Sequence, residues 1–173
     1  DRVDLSITLG GGEVRLTELT AAYAAFANQG RPISTSMILS VTNRDGKTLY
    51  EWEPQPSADP VIDPRIAWLI SDILSDNLAR APTFTTHSIL QIGRPAAAKT
   101  GTTTDYRDNW TMGYTPNLVV GVWVGNADNS GMSGISGVSG AGPIWHQCIR
   151  TVLRGQPALD FERPDGLVQV EVC

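Results

Sequence analysis

The sequence contains three strand-like segments separated by very short connections. The segments cover 96–103, 110–115 and 118–125, and the connections between them cover 105–109 and 116–117. Connections this short join antiparallel neighbours, because a parallel crossover needs a dozen or more residues. The sequence therefore predicts a three-stranded antiparallel sheet.

Helical patterns of apolar residues lie on both sides of the predicted sheet. The first helix is predicted over 16–28, where the pattern is helical and Gly30 supplies the stop. The second is predicted over 64–80, because Asp63 can cap it and a proline occupies the first helical position. The third is predicted over 143–155. An antiparallel sheet with flanking helices predicts a mixed fold that contains both helices and strands, α/β in the broad sense and α+β in the strict one.

The chain length of 173 residues fits one domain with a single sizeable core. Two segments are predicted to lie outside that core. Residues 33–53 contain two β-prone runs around Asp45-Gly46, a strong hairpin signal, and are predicted to form an appendage. Residues 129–142 are rich in glycine and serine and are predicted to be a solvated connection rather than a phosphate-binding loop.

Charge, hydropathy and cysteine use exclude several classes of partner. The net charge of −5 and the lack of a Lys/Arg cluster argue against nucleic acid. The longest apolar run, 118–124, is far shorter than the roughly 20 residues that span a bilayer, so no membrane contact is predicted for this segment. Cys148 and Cys173 lack partners at zinc-ligand spacing, and neither a metal nor a cofactor is expected.

The first strand-like segment concentrates the groups that could bind a ligand. Alternation along a strand sends Lys99, Gly101 and Thr103 to one face, and Thr100 and Thr102 to the other. On an edge strand, free main-chain groups could pair with an extended peptide, while the lysine attracts a carboxylate and the glycine admits a second backbone. The alternative is a solvated edge strand whose lysine prevents aggregation. From these residues alone, both interpretations stay open.

Longer motifs carry a resemblance to a known family. Lysine-threonine-glycine belongs to the motif set of class A β-lactamases and penicillin-binding proteins, and here it begins the run KTGTTTDYRDNWTMGYTPNLVVGVWVGN. Together with LGGGEVRLTELTAAYAAFANQGRP and GPIW, this run resembles the C-terminal half of the transpeptidase domain of class A, bifunctional penicillin-binding proteins. The resemblance covers most of the chain. YRDNW and the closing PDGLVQVEVC are similar to the 1C-type branch of that family.

The resemblance implies a serine β-lactamase/transpeptidase-like fold, of which residues 1–173 would be the C-terminal part of one domain. It also implies a penicillin-binding D,D-transpeptidase, an acyltransferase of peptidoglycan biosynthesis and an antibiotic target. In such an enzyme a serine attacks the penultimate D-Ala carbonyl of a stem peptide, and the amine of a neighbouring stem then takes the acyl group. β-Lactams enter the same chemistry and stall at the acyl-enzyme.

The implied parent protein is anchored in the cell membrane and faces the periplasm or the outer cell surface. Its N-terminal part would supply the first strands of the sheet and the serine helix. The expected partners are therefore peptidoglycan stem peptides, β-lactams and the rest of the penicillin-binding protein. The chain opens with Asp1 rather than methionine, which agrees with a segment of a longer protein.

The resemblance assigns roles to the residues of the lysine-threonine-glycine strand. Lys99 would assist the proton network and place positive charge by the substrate carboxylate. Thr100 and Thr102 would place hydroxyls near that carboxylate, Gly101 would leave room for the peptide, and the N–H of Thr102 would be the second oxyanion-hole donor. The implied catalytic residues are Lys99 and Thr102, and the implied substrate-binding residues are Thr100, Gly101, Thr102 and Thr103.

The chain departs from the family pattern at the nucleophile, because no serine is followed by lysine three residues later. The chain alone is therefore expected to be inactive. A literal Ser75-Asp76-Asn77 falls at the end of the second predicted helix and is interpreted as an ordinary helix terminus. His87 and His146 lack a carboxylate or serine partner in the sequence and are expected to be structural.

Two other functions remain open at this point. One is a β-lactamase or D,D-carboxypeptidase relative, and the other is a non-catalytic module that binds the cell wall or a partner, for which the missing nucleophile is evidence. The runs LTELTAAYAAFANQG and GYTPNLVVGVWVGN favour the transpeptidase. Asp108 and Trp110 match the segment after the strand and are expected to be structural.

Overall fold

The structure is a computed structural model and describes residues 5, 7, 10–53 and 58–171, so that Asp1 and Cys173 lie outside it. The elements are α1 (Leu16–Ala27), β1 (Ser40–Thr42), β2 (Thr48–Glu51), α2 (Pro64–Ser75), α3 (Asn77–Phe84), β3 (Ala97–Thr102), a 3₁₀ turn (Thr104–Tyr106), β4 (Asp108–Thr115), β5 (Leu118–Gly125) and α4 (Ala141–Val152). Among these described residues, no helix has both the length and the hydrophobicity that a membrane span requires.

The main sheet has the order β3-β4-β5, and both of its strand pairs are antiparallel. This confirms the predicted three-stranded sheet. Its register places Lys99 opposite Met112 and Thr102 opposite Asn109. β4 begins at Asp108, earlier than the predicted residue 110, because Asp108 and Asn109 already pair with Gly125 and Val124.

α4 covers one face of the sheet and forms the main core with it. Trp145 of α4 is fully buried over Gly113 of β4, where an added Cβ would lie 2.3 Å from the Trp145 ring. The buried members of this apolar cluster are Leu90, Ile92, Ala96, Ala98, Trp145, Ile149 and Leu153. The close approach of α4 to the sheet thus depends on the absence of a side chain at position 113.

The opposite face carries α1 and α2 around Tyr114, whose side chain is fully buried. The rings of Tyr23 and Phe161 meet the Tyr114 ring edge-on, with centroids 6.3 and 5.7 Å away. The Tyr114 hydroxyl lies 3.0 Å from Ser71 Oγ, and Ser71 itself donates to the carbonyl of Ala67. Tyr114 therefore donates to Ser71, which ties α2 to β4.

The burial of Tyr114 predicts alkaline instability. Burial raises the pKa of Tyr114 to about 12, from an ordinary value of 10.0. As the pH rises, Tyr114 ionises at a lower pH in the unfolded chain than in the folded chain. The stabilisation that neutral Tyr114 gives the fold is therefore complete below pH 10 and is lost between pH 10 and 12. We expect thermal unfolding to show that the free energy of unfolding falls by about 1–2 kcal/mol across that pH window. In Tyr114→Phe, the free energy of unfolding should fall less steeply with pH. An equally steep decline in Tyr114→Phe would contradict this assignment.

The single helix predicted over 64–80 is wrong, because α2 and α3 divide this segment at Asp76. Asp76 has an extended conformation, with ψ at 98°. Its carboxylate accepts hydrogen bonds from the main-chain N–H groups of Leu78 and Ala79, at 2.8 and 2.9 Å. Capping by a local side chain therefore overrides an apolar pattern that continues across the break.

The predicted hairpin is present as β1 and β2, with Val41 opposite Tyr50 and Gly46 in the left-handed region at φ 81°. Every residue of both strands is exposed. Glycine suits this turn because positive φ costs it little. α4 begins at Ala141 rather than at the predicted Pro143.

Candidate active site

The predicted ligand-binding residues lie on β3, which is an edge strand within the described part of the chain. Lys99 and Thr102 are exposed, and Thr100 and Gly101 are partly buried. The Lys99 ammonium donates a hydrogen bond to the carbonyl of Thr100 at 2.6 Å. No carboxylate among the described residues forms an ion pair with Lys99. Its positive charge is therefore not neutralised by an acidic neighbour in this part of the chain.

The register of β3 on β4 separates its side chains as alternation predicts. Thr100 pairs with Thr111 and shares the sheet face that carries α4, whereas Lys99 pairs with Met112 and shares the opposite face. Gly101 pairs with Trp110, and a Cβ at Gly101 would meet the Trp110 side chain at an ordinary 3.4 Å. Packing on β4 therefore does not by itself require glycine at position 101.

The turn after β3 is held by one carboxylate, that of Asp108. Thr103 Oγ1 donates to Asp108 Oδ2 at 3.0 Å, and the Asp108 N–H donates back to Thr103 Oγ1 at 2.8 Å. The other carboxylate oxygen of Asp108 accepts from Trp123 Nε1 at 2.8 Å. These bonds hold Asp105 and Tyr106 at φ 60° and 56°, which is left-handed geometry. Asp108 thus has the contacts of a structural residue, and the Thr103 hydroxyl is occupied in the turn.

The glycine/serine loop at 129–142 packs onto this strand, so the prediction of a solvated connection is wrong for its second half. The N–H of Gly137 donates to Thr102 Oγ1 at 2.9 Å, and the carbonyl of Gly137 accepts from Thr111 Oγ1 at 3.0 Å. Asn109 Nδ2 donates to the carbonyl of Ile135 at 2.9 Å. Composition indicated flexibility here, but the glycines permit close packing instead.

Thr111 and Gly137 also belong to this region, although the sequence alone did not indicate them. Both lie far from Lys99 along the chain. The register of β4 places Thr111 opposite Thr100, and the path of the loop brings Gly137 to both Thr102 and Thr111. Thr111 is fully buried, and an added Cβ at Gly137 would lie 2.5 Å from the carbonyl oxygen of Gly101. A short run of Gly and Ser gives no local signal for such contacts.

Ser75 and His146 have the contacts of structural residues. Ser75 Oγ donates to the carbonyl of Asp72 at 3.1 Å, beside the capping residue Asp76. His146 Nδ1 donates to the carbonyl of Ile89 at 2.6 Å, and Arg150 donates to the other ring nitrogen at 3.2 Å. Within the portion of the chain that the structure describes, no three His, Cys, Asp or Glu side chains are grouped as metal ligands would be.

A cleft of about 530 Å³ lies beside α4, near the residues that lead into β3. Arg94 and Arg150 are among the residues lining it, but Arg94 donates to the carbonyls of Leu153, Gln156 and Pro157 at the end of α4. Its charge therefore complements the negative end of the helix dipole. The exposed edge of β3, and not this cleft, carries the lysine and hydroxyl groups suited to a carboxylate ligand.

Comparison with known proteins identifies the family to which the chain is similar. Residues 4–146 match the family model described as "Penicillin binding protein transpeptidase domain". Penicillin-binding protein 1A of Neisseria lactamica is 35% identical over 171 residues, which cover 96% of this chain and 21% of that protein. The chain thus spans about a fifth of the length of this relative. The 1C-type assignment stays a prediction.

Solved structures agree with the fold. The crystal structure of penicillin-binding protein 1A from Haemophilus influenzae matches with a TM-score of 0.81 at 25% identity, over 92% of this chain and 29% of that chain. The PonA1 protein of Mycobacterium tuberculosis, solved in complex with penicillin V, matches with a TM-score of 0.76 at 26% identity, over 95% of this chain and 45% of that chain. The predicted serine β-lactamase/transpeptidase-like fold, an antiparallel sheet with flanking helices, is confirmed.

Proposed function

Because the chain belongs to the penicillin-binding protein transpeptidase domain family, we propose that it forms one wall of a D,D-transpeptidase active site. The parent protein would cross-link peptidoglycan stem peptides through a serine acyl-enzyme. The observation that carries the proposal is the exposed edge of β3, where Lys99 has no acidic partner among the described residues and Thr102 is exposed. The nucleophilic serine would lie in the parent protein outside residues 1–173.

Each residue of the strand has a place in this chemistry. The serine oxygen attacks the penultimate D-Ala carbonyl, the peptide C–N bond breaks, and D-Ala leaves before an amine takes the acyl group. Lys99 attracts the substrate carboxylate and takes part in proton transfer, while the Thr102 N–H stabilises the oxyanion. Thr100 and Thr102 offer hydroxyls to the carboxylate, and Gly101 admits the peptide. Thr103 would contribute by holding the turn beside the site.

The same strand would bind β-lactams, which carry a carboxylate and a reactive carbonyl. The solved complex of the M. tuberculosis PonA1 protein with penicillin V supports this part of the proposal, since that protein is 26% identical over 95% of this chain. We propose that the parent is membrane-anchored and that this domain faces the periplasm or outer cell surface. Residues 1–173 would form the C-terminal part of one domain, with 33–53 as an appendage and 129–142 as the connecting loop.

A non-catalytic module for the cell wall or a partner is the competing function. The observation that favours it is the lack of any serine followed by lysine three residues later. A module of this kind would bind wall peptides along β3 without forming a covalent bond. A transpeptidase would form a covalent adduct with penicillin, whereas a non-catalytic module would form none.

Penicillin labelling followed by intact mass tests the proposed function. We expect the parent protein to gain the mass of one penicillin and the 173-residue chain alone to gain none, because the nucleophile lies outside it. Label on neither protein would support the non-catalytic module. Label on the short chain would mean that one of its own serines reacts, and Ser75 in the Ser-Asp-Asn sequence would be the first to examine.

A further inference from the structure

The loop that precedes α4, residues 129–140, lies against Thr102, the residue proposed to bind the substrate carboxylate. We propose that Gly137 of this loop is a positioning residue, whose main-chain N–H fixes the orientation of the Thr102 hydroxyl toward that carboxylate. This inference rests on the proposed function and adds a second element to it. The specificity for a carboxylate would then depend on the loop as well as on the lysine-threonine-glycine strand.

The hydrogen bond from Gly137 determines the direction of the Thr102 hydroxyl proton. The Gly137 N–H donates to Thr102 Oγ1 at 2.9 Å, so the Thr102 oxygen is the acceptor. A threonine hydroxyl has a single proton, and with its oxygen engaged by the loop that proton points away from Gly137. None of the described residues accepts this proton from Thr102 Oγ1, and Thr102 is exposed at the end of β3. The hydroxyl is thus arranged to donate to a ligand.

Gly137 itself is fixed from two sides. Its carbonyl accepts from the buried Thr111 Oγ1 at 3.0 Å and from the N–H of Gly142 at 2.8 Å. Thr111 belongs to β4 and Gly142 to the first turn of α4. The loop is therefore tied to the sheet and to the helix at the residue that meets Thr102, which holds a ligand-binding group more accurately than a free loop could.

The close approach of the loop explains why position 137 is glycine. An added Cβ would lie 2.5 Å from the carbonyl oxygen of Gly101 and 2.7 Å from that of Trp110. Both are main-chain atoms of paired strands and cannot move aside at low cost. A side chain at 137 would therefore lift the loop away from the strand and withdraw its N–H from Thr102.

A double-mutant cycle on the parent protein tests this inference, with the rate constant for acylation by penicillin as the readout. Thr111→Val removes the hydroxyl that holds Gly137 while keeping side-chain volume, and the Gly137 carbonyl retains the bond from Gly142. We expect Thr111→Val to slow acylation about threefold to tenfold, the effect of one neutral hydrogen bond. In a Thr102→Val background the same substitution should have no further effect, because the hydroxyl it positions is gone.

Thr115→Val is the matched control. Thr115 lies on the same strand and face, is buried, and donates its hydroxyl to Asn117 at 2.9 Å, away from Thr102. We expect it to leave acylation unchanged, and Thr102→Ser, which keeps the hydroxyl, to preserve the sensitivity to Thr111→Val. The positioning role would be overturned if Thr111→Val and Thr115→Val slowed acylation equally. It would also be overturned if Thr111→Val slowed acylation as much in the Thr102→Val background as in the wild type. Neither result would overturn the proposed function. A wild-type parent that penicillin does not acylate would overturn the proposed function as well.

Discussion

Replacing Lys99 with alanine is expected to slow acylation of the parent protein by penicillin about a hundredfold, comparable to the loss of one preorganised transition-state contact. The ammonium group is exposed on β3 and forms no ion pair among the described residues. Under the proposed function, its loss would leave the ligand carboxylate without a positive partner and remove one member of the proposed proton network. The measurement is the second-order rate constant of acylation, followed by fluorescent penicillin or intact mass.

Lys47→Ala is the natural control for this experiment, since Lys47 and Lys99 are the lysines of the chain. Lys47 lies in the exposed turn of the β1–β2 hairpin, where its N–H bonds to Asn43. We expect its removal to leave acylation unaltered. If Lys99→Ala and Lys47→Ala were acylated at equal rates, β3 would not be the carboxylate-binding strand.

Gly113→Ala is expected to lower the free energy of unfolding by about 3 kcal/mol, at the upper end of the cost of overpacking a core. An added Cβ would lie 2.3 Å from Cζ2 of Trp145 and 2.9 Å from the carbonyl oxygen of Ala97. Trp145 is fully buried against the sheet, so it cannot rotate away without opening the core. Because Ala97 begins β3, the same change should also disturb the strand that carries Lys99.

Chemical denaturation measures this effect, and Gly12→Ala is its control. A Cβ at Gly12 would lie 3.8 Å from Ile7 Cγ1, which is an ordinary contact. We expect Gly12→Ala to change stability by less than about 1 kcal/mol. Similar midpoints for wild type and Gly113→Ala would show that α4 does not pack on the sheet as closely as described.

The sequence predicted those parts of the fold that local patterns determine. The short connections of 105–109 and 116–117 imposed antiparallel pairing, and the alternation of Thr100 and Thr102 against Lys99 follows from the pleat alone. The break at Asp76 was missed because a capping carboxylate competed with an apolar pattern that runs through it. A capping interaction of this kind leaves a weaker signal in the sequence than hydrophobic periodicity does.

Some residues of the candidate site could be predicted from the sequence and others could not. Lys99 to Thr102 could be singled out from the sequence because their residue types and their motif are contiguous. Gly137 and Thr111 could not, because the bond of Gly137 to Thr102 and the bond of Thr111 to Gly137 depend on strand register and on the path of a loop. Glycine in a sequence is compatible with both flexibility and close packing, and only the surrounding backbone decides between them.

A crystal structure of the parent protein acylated by penicillin would show whether β3 binds the ligand carboxylate. We expect the penicillin carboxylate to lie within about 3 Å of Thr102 Oγ1, with the Lys99 ammonium beside it and the acyl oxygen at the Thr102 N–H. The Gly137 N–H should still donate to Thr102 in that complex. An acyl-enzyme whose carboxylate lies away from β3, or a parent in which another strand covers this edge, would contradict it.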